Sequence, residues 1–190
     1  MTADEELVRL FCAGQNEAFD ELLLRYKDRL YSYISYIVKN GDIADDLFQE
    51  TFVKAIVTLR QGKYHENGKF YAWLTRIAHN LLIDQIRNER CENISYHQDG
   101  ENNLIDQTSL LVFNRESEMV KEQMLKEVKH IVDKLPATQR EVVFMRFYQE
   151  LSFKEIADIT GVSINTALGR MHYALKNMKC MAKKMGIAAY

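Results

Sequence analysis

Apolar residues recur at spacings of three and four along most of the chain, which predicts helices almost throughout. Thr2 and Glu5 have the spacing of a capping box before a short first helix that Gly14 ends. A long helix from about Asn16 to Lys39 follows. Its apolar stripe is Phe19, Leu22, Leu23, Tyr26, Leu30, Tyr33, Ile34 and Ile37. Asn40-Gly41 stops that helix, and Asp42 can cap the next, to about Leu59. Arg60 to Gly68 is a polar loop, and a fourth helix runs from about Lys69 to Arg90. Cys91 to Asn114 lacks periodicity and is rich in Asn, Asp, Gln and Ser. It is expected to be an extended or disordered linker whose Leu104, Ile105 and Leu110 to Phe113 dock in part. Helices resume near Arg115 and run to Leu135. Pro136 starts an element to about Glu150, Ser152 can cap a short helix to about Ile159, and Ser163 can cap a last one to about Lys184. No internal repeat stands out.

The stretch from Ser152 to Thr166 has the pattern of a helix-turn-helix. Ile156, Ala157 and Ile159 are the apolar positions of its first helix, and Ala157 is the small residue needed where the helices cross. Gly161 permits the tight turn, and Val162 plugs the corner. On a wheel of about 100° per residue, Ala167, Met171, Ala174, Leu175 and Met178 gather on the side expected to be buried. The opposite side carries Asn165, Gly169, His172, Tyr173 and Lys176, flanked by Thr166 and Arg170. Hydrogen-bonding and cationic groups on an outer helix suit the major groove. The bland alternative is a helical hairpin with a solvated face.

In the helix from Lys69 to Arg90, Phe70, Trp73, Leu74, Ile77 and Leu81 form the apolar face, with Trp73 expected in the core. Lys69, Arg76, Asn80 and Arg87 align on another side, an arrangement that suits a phosphate backbone as well as solvent. The preceding Lys63, Tyr64, His65 and Asn67 have the chemistry to hold an unstacked base by stacking and hydrogen bonding.

Asp42, Asp46 and Glu50 recur every four residues, beside Asp45. Clustered carboxylates can ligate magnesium or meet a basic protein partner. Val53 and Val57 fall on the face of Asp46 and Glu50, and apolar groups among charges on an outer face favour a partner surface. No second carboxylate cluster and no phosphate-cradling glycine loop accompanies them, so neither a metal nor a cofactor is expected.

Charge sharpens the division of the chain. Residues 1–90 carry 12 Lys/Arg against 14 Asp/Glu, residues 91–118 carry 1 against 6, and residues 119–190 carry 12 against 7. A near-neutral part is therefore joined through an acidic segment to a basic one. Cys12, Cys91 and Cys180 are an odd, widely spaced set that argues against a disulfide framework or a zinc site and for a reducing compartment. The acidic start lacks a signal-peptide apolar core, and there is no run of about 18 apolar residues, so no membrane insertion is expected. The expectation is an all-α chain of two small helical domains, residues 1–90 and 119–190, joined by an acidic linker, 91–118.

Four segments taken in order resemble the extracytoplasmic-function (ECF) sigma factors of bacterial RNA polymerase. Phe19-Asp20-Glu21-Leu22 through Tyr26 resembles the start of the family's first conserved region, and Asp42 to Val53 its core-polymerase-binding helix. Phe70 to Arg87 is similar to its promoter-melting helix. Leu135 to Arg146 with the helix-turn-helix resembles its second conserved domain.

The resemblance implies a non-catalytic cytoplasmic subunit that directs polymerase to promoters. Its partners would be the β′ and β subunits of the core enzyme, promoter DNA and an anti-sigma factor. Core binding would fall to Asp42, Asp45, Asp46, Gln49, Glu50, Val53 and Val57. The minus-ten element would meet Lys63, His65, Asn67, Lys69, Arg76, His79, Asn80 and Arg87. The minus-thirty-five element would meet Ser163, Asn165, Thr166, Gly169, Arg170, His172, Tyr173 and Lys176. The second domain would also touch the β flap, and the linker would run through the polymerase cleft.

Three departures point to weaker or altered promoter reading. Leu168 and Gly169 stand where the family usually has a basic residue and a serine, and His79 where it often has an arginine. The alternatives are a stand-alone helix-turn-helix regulator, which would bind its operator without polymerase, and a carboxylate-metal helical enzyme, which would show magnesium-dependent turnover.

Overall fold

The computed structural model describes residues 3–38, 40–65, 68–94 (backbone alone over 89–94) and 127–186. The chain divides into two compact units, Met1–Thr108 and Ser109–Tyr190, and every described element is a helix.

In the first unit, α1 (Asp4–Cys12), α2 (Glu17–Val38), α3 (Gly41–Arg60) and α4 (Phe70–Ile94) pack into a bundle. The α2 stripe faces inward as its spacing predicts. Phe19, Leu22, Leu30, Tyr33 and Ile34 are buried, and Leu23, Tyr26 and Ile37 half-buried. A run of aromatic contacts links three helices: Phe11 to Phe19 at 5.0 Å, Phe19 to Phe52 at 6.1 Å, and Phe52 to Phe48 at 5.0 Å between centroids. Buried hydroxyls are satisfied within their own helices, Thr51 donating to Leu47 O at 2.6 Å and Thr75 to Tyr71 O at 2.9 Å.

Two caps differ from expectation. α1 begins after Ala3, which makes no side-chain cap; its first turn is instead favoured by Asp4, Glu5 and Glu6 at the positive end of the helix dipole. Asp4 also reaches α2, accepting hydrogen bonds from the Arg25 guanidinium and the Tyr26 hydroxyl, which pins α1 in place. For α3 the cap is Asn40, not Asp42. Asn40 has extended backbone, and its side-chain oxygen accepts from Asp42 N at 3.0 Å and Ile43 N at 3.3 Å, so Asp42 lies inside the first turn. α4 continues to Ile94, past its expected end at Arg90; the rest of the expected linker, with its apolar residues, lies outside the described residues.

In the second unit, α5 is described over 127–133 and is followed by α6 (Ala137–Phe147), α7 (Phe153–Thr160) and α8 (Ile164–Lys184). Ser152 and Glu155 form a reciprocal capping box: Ser152 N donates to the Glu155 carboxylate at 2.8 Å, and Glu155 N to Ser152 Oγ at 3.3 Å. Gly161 ends α7 at φ +66°, a left-handed conformation that glycine adopts without steric cost. Ser163 caps α8, accepting from Thr166 N at 3.0 Å.

Ala157, Ala167 and Ala174 are buried, so α7 and α8 approach closely with Ile156, Val142, Met145 and Met171 around them. Buried Arg140 donates to Asp133 O at 3.0 Å, and Asn177 of α8 donates to the Gln139 side chain of α6 at 2.9 Å. Leu175, expected on the inner face, is 48% exposed. It lies about 80° from Ala167 on the helix, at the edge of an arc whose centre alone is covered.

Candidate nucleic-acid and partner interfaces

On α8, Ser163, Asn165, Thr166, His172, Tyr173 and Lys176 are exposed, and Gly169 and Arg170 half-buried. The His172 and Tyr173 rings meet edge to face at 5.7 Å. The hydroxyls of Ser163 and Thr166 are 2.8 Å apart and bound up in the cap, which leaves Asn165 as the polar group of the first turn that points outward unengaged by it. Sequence reasoning marked Leu168 only as a departure from the family's basic residue and did not single out Ile164, yet they are 44% and 45% exposed. The signal was their offset from the Ala167–Met171–Ala174 arc.

On α4, Lys69, Arg76, Asn80 and Arg87 are exposed on one side, with Arg87 held to Asp84 at 3.1 Å. Lys63 and His65 are exposed in the preceding loop, and Asn67 lies outside the described residues. Two expectations fail here. His79 is 7% exposed, its Nδ1 3.0 Å from the buried Tyr33 hydroxyl. It lies four residues after Thr75 and three before Leu82, both buried, so helical spacing turns it inward, away from any DNA on the outer side. Tyr64 does not stand ready to stack on a base, because its ring packs on Trp73 at 4.5 Å and on Phe70 at 6.0 Å. Trp73, expected in the core, is only half-buried within this cluster, because the buried side of α4 is turned toward Tyr71, Ala78 and Leu82.

On α3, Asp42, Asp45, Asp46, Gln49 and Glu50 are exposed together with Val53 (58%) and Val57 (46%). Glu50 pairs with Lys54 at 3.0 Å along the helix. Asp45 accepts a hydrogen bond from Tyr31 of α2, which raises that phenol above its ordinary range. Among the described residues, no group of three or more His, Cys, Asp or Glu side chains is placed to hold a metal ion, and no helix is long and apolar enough to cross a membrane.

A helix-turn-helix unit with a polar, partly cationic outer helix, together with a helical bundle bearing an acidic face and a basic one, defines a two-domain transcription protein. Residues 22–91 match Sigma-70 region 2, and residues 125–178 match Sigma-70, region 4. The ECF RNA polymerase sigma-E factor of Escherichia coli (strain K12) is 30% identical over 175 residues, 90% of each chain. The ECF RNA polymerase sigma factor SigW of Bacillus subtilis (strain 168) is 29% identical over 167 residues, 84% of this chain and 86% of that one. The fold is similar to that of the sigma factor RpoE solved with the anti-sigma factor NepR from Bartonella quintana, with a TM-score of 0.67 at 23% identity over 87% of this chain and 96% of that one. It is also similar to CnrH solved with the cytosolic domain of CnrY, with a TM-score of 0.64 at 23% identity over 96% and 99%.

The chain belongs to the ECF family of sigma factors. It is an alternative sigma factor, a non-catalytic subunit that directs RNA polymerase to initiate transcription at specific promoters. The region 2 match, absent from a stand-alone helix-turn-helix regulator, sets that alternative aside.

Proposed function

We propose that the exposed faces divide the work of initiation. The face of α3 built from Asp46, Glu50, Val53 and Val57, with Asp42, Asp45 and Gln49 beside it, docks on the β′ subunit of core polymerase. The outer side of α4 and the loop before it, Lys63, His65, Asn67, Lys69, Arg76, Asn80 and Arg87, hold the minus-ten element. The outer side of α8 reads the minus-thirty-five element, and its domain touches the β flap. The first domain, through the end of α4, and residues 119–190 act as the two working domains, with the segment between them, expected as 91–118 and shortened by the longer α4, running through the polymerase cleft. The protein works in the cytoplasm with polymerase and is bound by an anti-sigma factor, a reading supported by the likeness to RpoE of Bartonella quintana, solved in complex with the anti-sigma factor NepR.

The observation that carries this division is the pair of exposed valines among carboxylates on α3. Desolvating aliphatic area supplies binding energy, and the carboxylates favour a basic partner over DNA, whose phosphates they repel. The double variant Asp46→Lys, Glu50→Lys should lose tenfold or more in affinity for core polymerase while its circular dichroism and melting are unchanged, since both residues are exposed. Unchanged affinity in a titration of labelled protein with core enzyme would overturn the assignment of α3.

A further inference from the structure

We infer that Ile164 and Leu168 read thymine methyl groups in the upstream promoter element, so that α8 selects bases partly by apolar contact. The inference rests on the proposed placement of α8 in the major groove. The two side chains lie one turn apart at the start of that helix, both nearly half exposed, on the flank next to Asn165. Ser163 and Thr166, the hydroxyl residues of the same turn, are engaged with each other in the cap. Outside the cap, residues 164–169 therefore offer one amide and two aliphatic side chains to whatever they meet, with Arg170 following. In the major groove the one apolar feature of the base edges is the C5 methyl of thymine.

Leu168 can make no hydrogen bond to guanine, so a base that fits it gains by burying its methyl group. Beside it, a Cβ on Gly169 would meet nothing within 4 Å, so no side chain holds the helix backbone away from the groove there. Leu175 lies about 16 Å further along the helix than Ile164 and takes no part. The surroundings favour DNA over a protein partner: His172, Arg170 and Lys176 share this helix, and residues 119–190 carry 12 Lys/Arg against 7 Asp/Glu.

The test uses holoenzyme assembled from the full chain and core polymerase. Preferred upstream elements are selected from duplexes randomised in that region. Each thymine of the selected element, on either strand, is then replaced singly by deoxyuridine, which removes the methyl and keeps the hydrogen-bonding groups. With wild-type protein, one or two positions should weaken promoter binding about fourfold each, the equivalent of ~0.8 kcal/mol per buried methyl. Leu168→Ala or Ile164→Ala should abolish the effect at its own position while core binding is kept. Leu168→Arg should change the preferred base there from thymine to guanine. Equal binding of all deoxyuridine promoters overturns the inference, as does a methyl effect that persists in both alanine variants. Wild-type use of every promoter by the alanine variants also overturns it and assigns the two residues to a protein partner. If wild-type holoenzyme selects no upstream element at all, the placement of α8 in the groove fails with it.

Discussion

The first domain fills its interior with rings: Tyr26 stacks on Tyr71 at 5.0 Å, the Arg29 guanidinium lies 4.3 Å over the Tyr71 ring, and Tyr64, Phe70 and Trp73 close one end. The second is assembled around small side chains, with Ala157, Ala167 and Ala174 buried where its helices cross. The outer faces differ in a parallel way. Both α3 and α8 expose a pair of aliphatic side chains four residues apart, Val53 with Val57 and Ile164 with Leu168. The first pair stands among carboxylates, the second near an amide, an imidazole and cations. The apolar pairs are much alike, so under the proposed assignment it is the charge around each that selects the class of partner: a protein that tolerates acid in one case, a polyanion in the other.

The largest expected effect separates the two interiors with alkali. Burial pushes Tyr71 up to about 12, outweighing the opposing pull of Arg29. Burial and then the hydrogen bond to Asp4 push Tyr26 up to about 12. Both folded values lie above the ordinary tyrosine value near 10, so the fold favours the neutral phenols. Their contribution is fully present below pH 10 and is lost as pH rises through about 12. Tyr71 alone should account for on the order of 2–3 kcal/mol, and Tyr26 for less because water screens it. Urea melts at pH 8 to 12 should show the first domain's transition weakening steeply above pH 10, and Tyr71→Phe should flatten that loss. An unchanged alkaline loss in Tyr71→Phe would remove the phenol as its cause.

Next in size is Ala157→Leu, which strikes the second interior. Ala157 is 2% exposed between α7 and α8 and has no room for three more carbons. Overpacking there should cost roughly 1–3 kcal/mol in the second domain and weaken upstream-element binding. Core affinity through α3 should persist, because α1 to α4 form a bundle of their own. A melt with only the second transition displaced is the expected record, and equal loss in both transitions would show that the two interiors are coupled.

Most of this organisation was legible in the sequence because local chemistry sets it. Ser152, Gly161 and Ser163 each satisfy or terminate a helix end by contacts within four residues, and the α2 stripe needs only a period near 3.6 to find its inner face. What was not legible lay at borders. Neither Gly nor Pro stands between Arg90 and Ile94, so nothing local fixes where α4 ends. Leu175 sits at the edge of its apolar arc, and His79, opposite the arc of Phe70, Leu74 and Leu81, is buried because the covered side of α4 extends through Tyr71, Thr75 and Leu82. Tyr64 was read as available to a base because its partners, Phe70 and Trp73, belong to the next helix. Leu168 drew notice only as a departure from the family pattern, and Ile164 drew none, because aliphatic residues are read as interior by default, although their angular offset was computable.

The smallest effect concerns Gly169, in the second turn of α8 near the middle of its outward face. A glycine inside a helix costs roughly 0.5–1 kcal/mol relative to alanine. A Cβ there would meet nothing within 4 Å, so Gly169→Ala should raise the second domain's stability by about that amount, and Gly169→Leu should leave it no less stable than wild type. In free protein the added Cβ has no steric cost. Against DNA the two differ under the proposed placement of α8, in which the missing side chain lets the helix backbone come close enough for Asn165, His172 and Tyr173 to reach base edges. A methyl group fits such an approach with a small loss, whereas an isobutyl group holds the helix off by more than the reach of Asn165. Gly169→Leu should therefore sharply reduce transcription from promoters that depend on the upstream element, with core polymerase affinity kept, while Gly169→Ala transcribes near the wild-type level. If the leucine variant initiates normally at such a promoter, the helix does not approach the groove along this side, and the aliphatic pair on its flank loses its route to the thymine methyls as well.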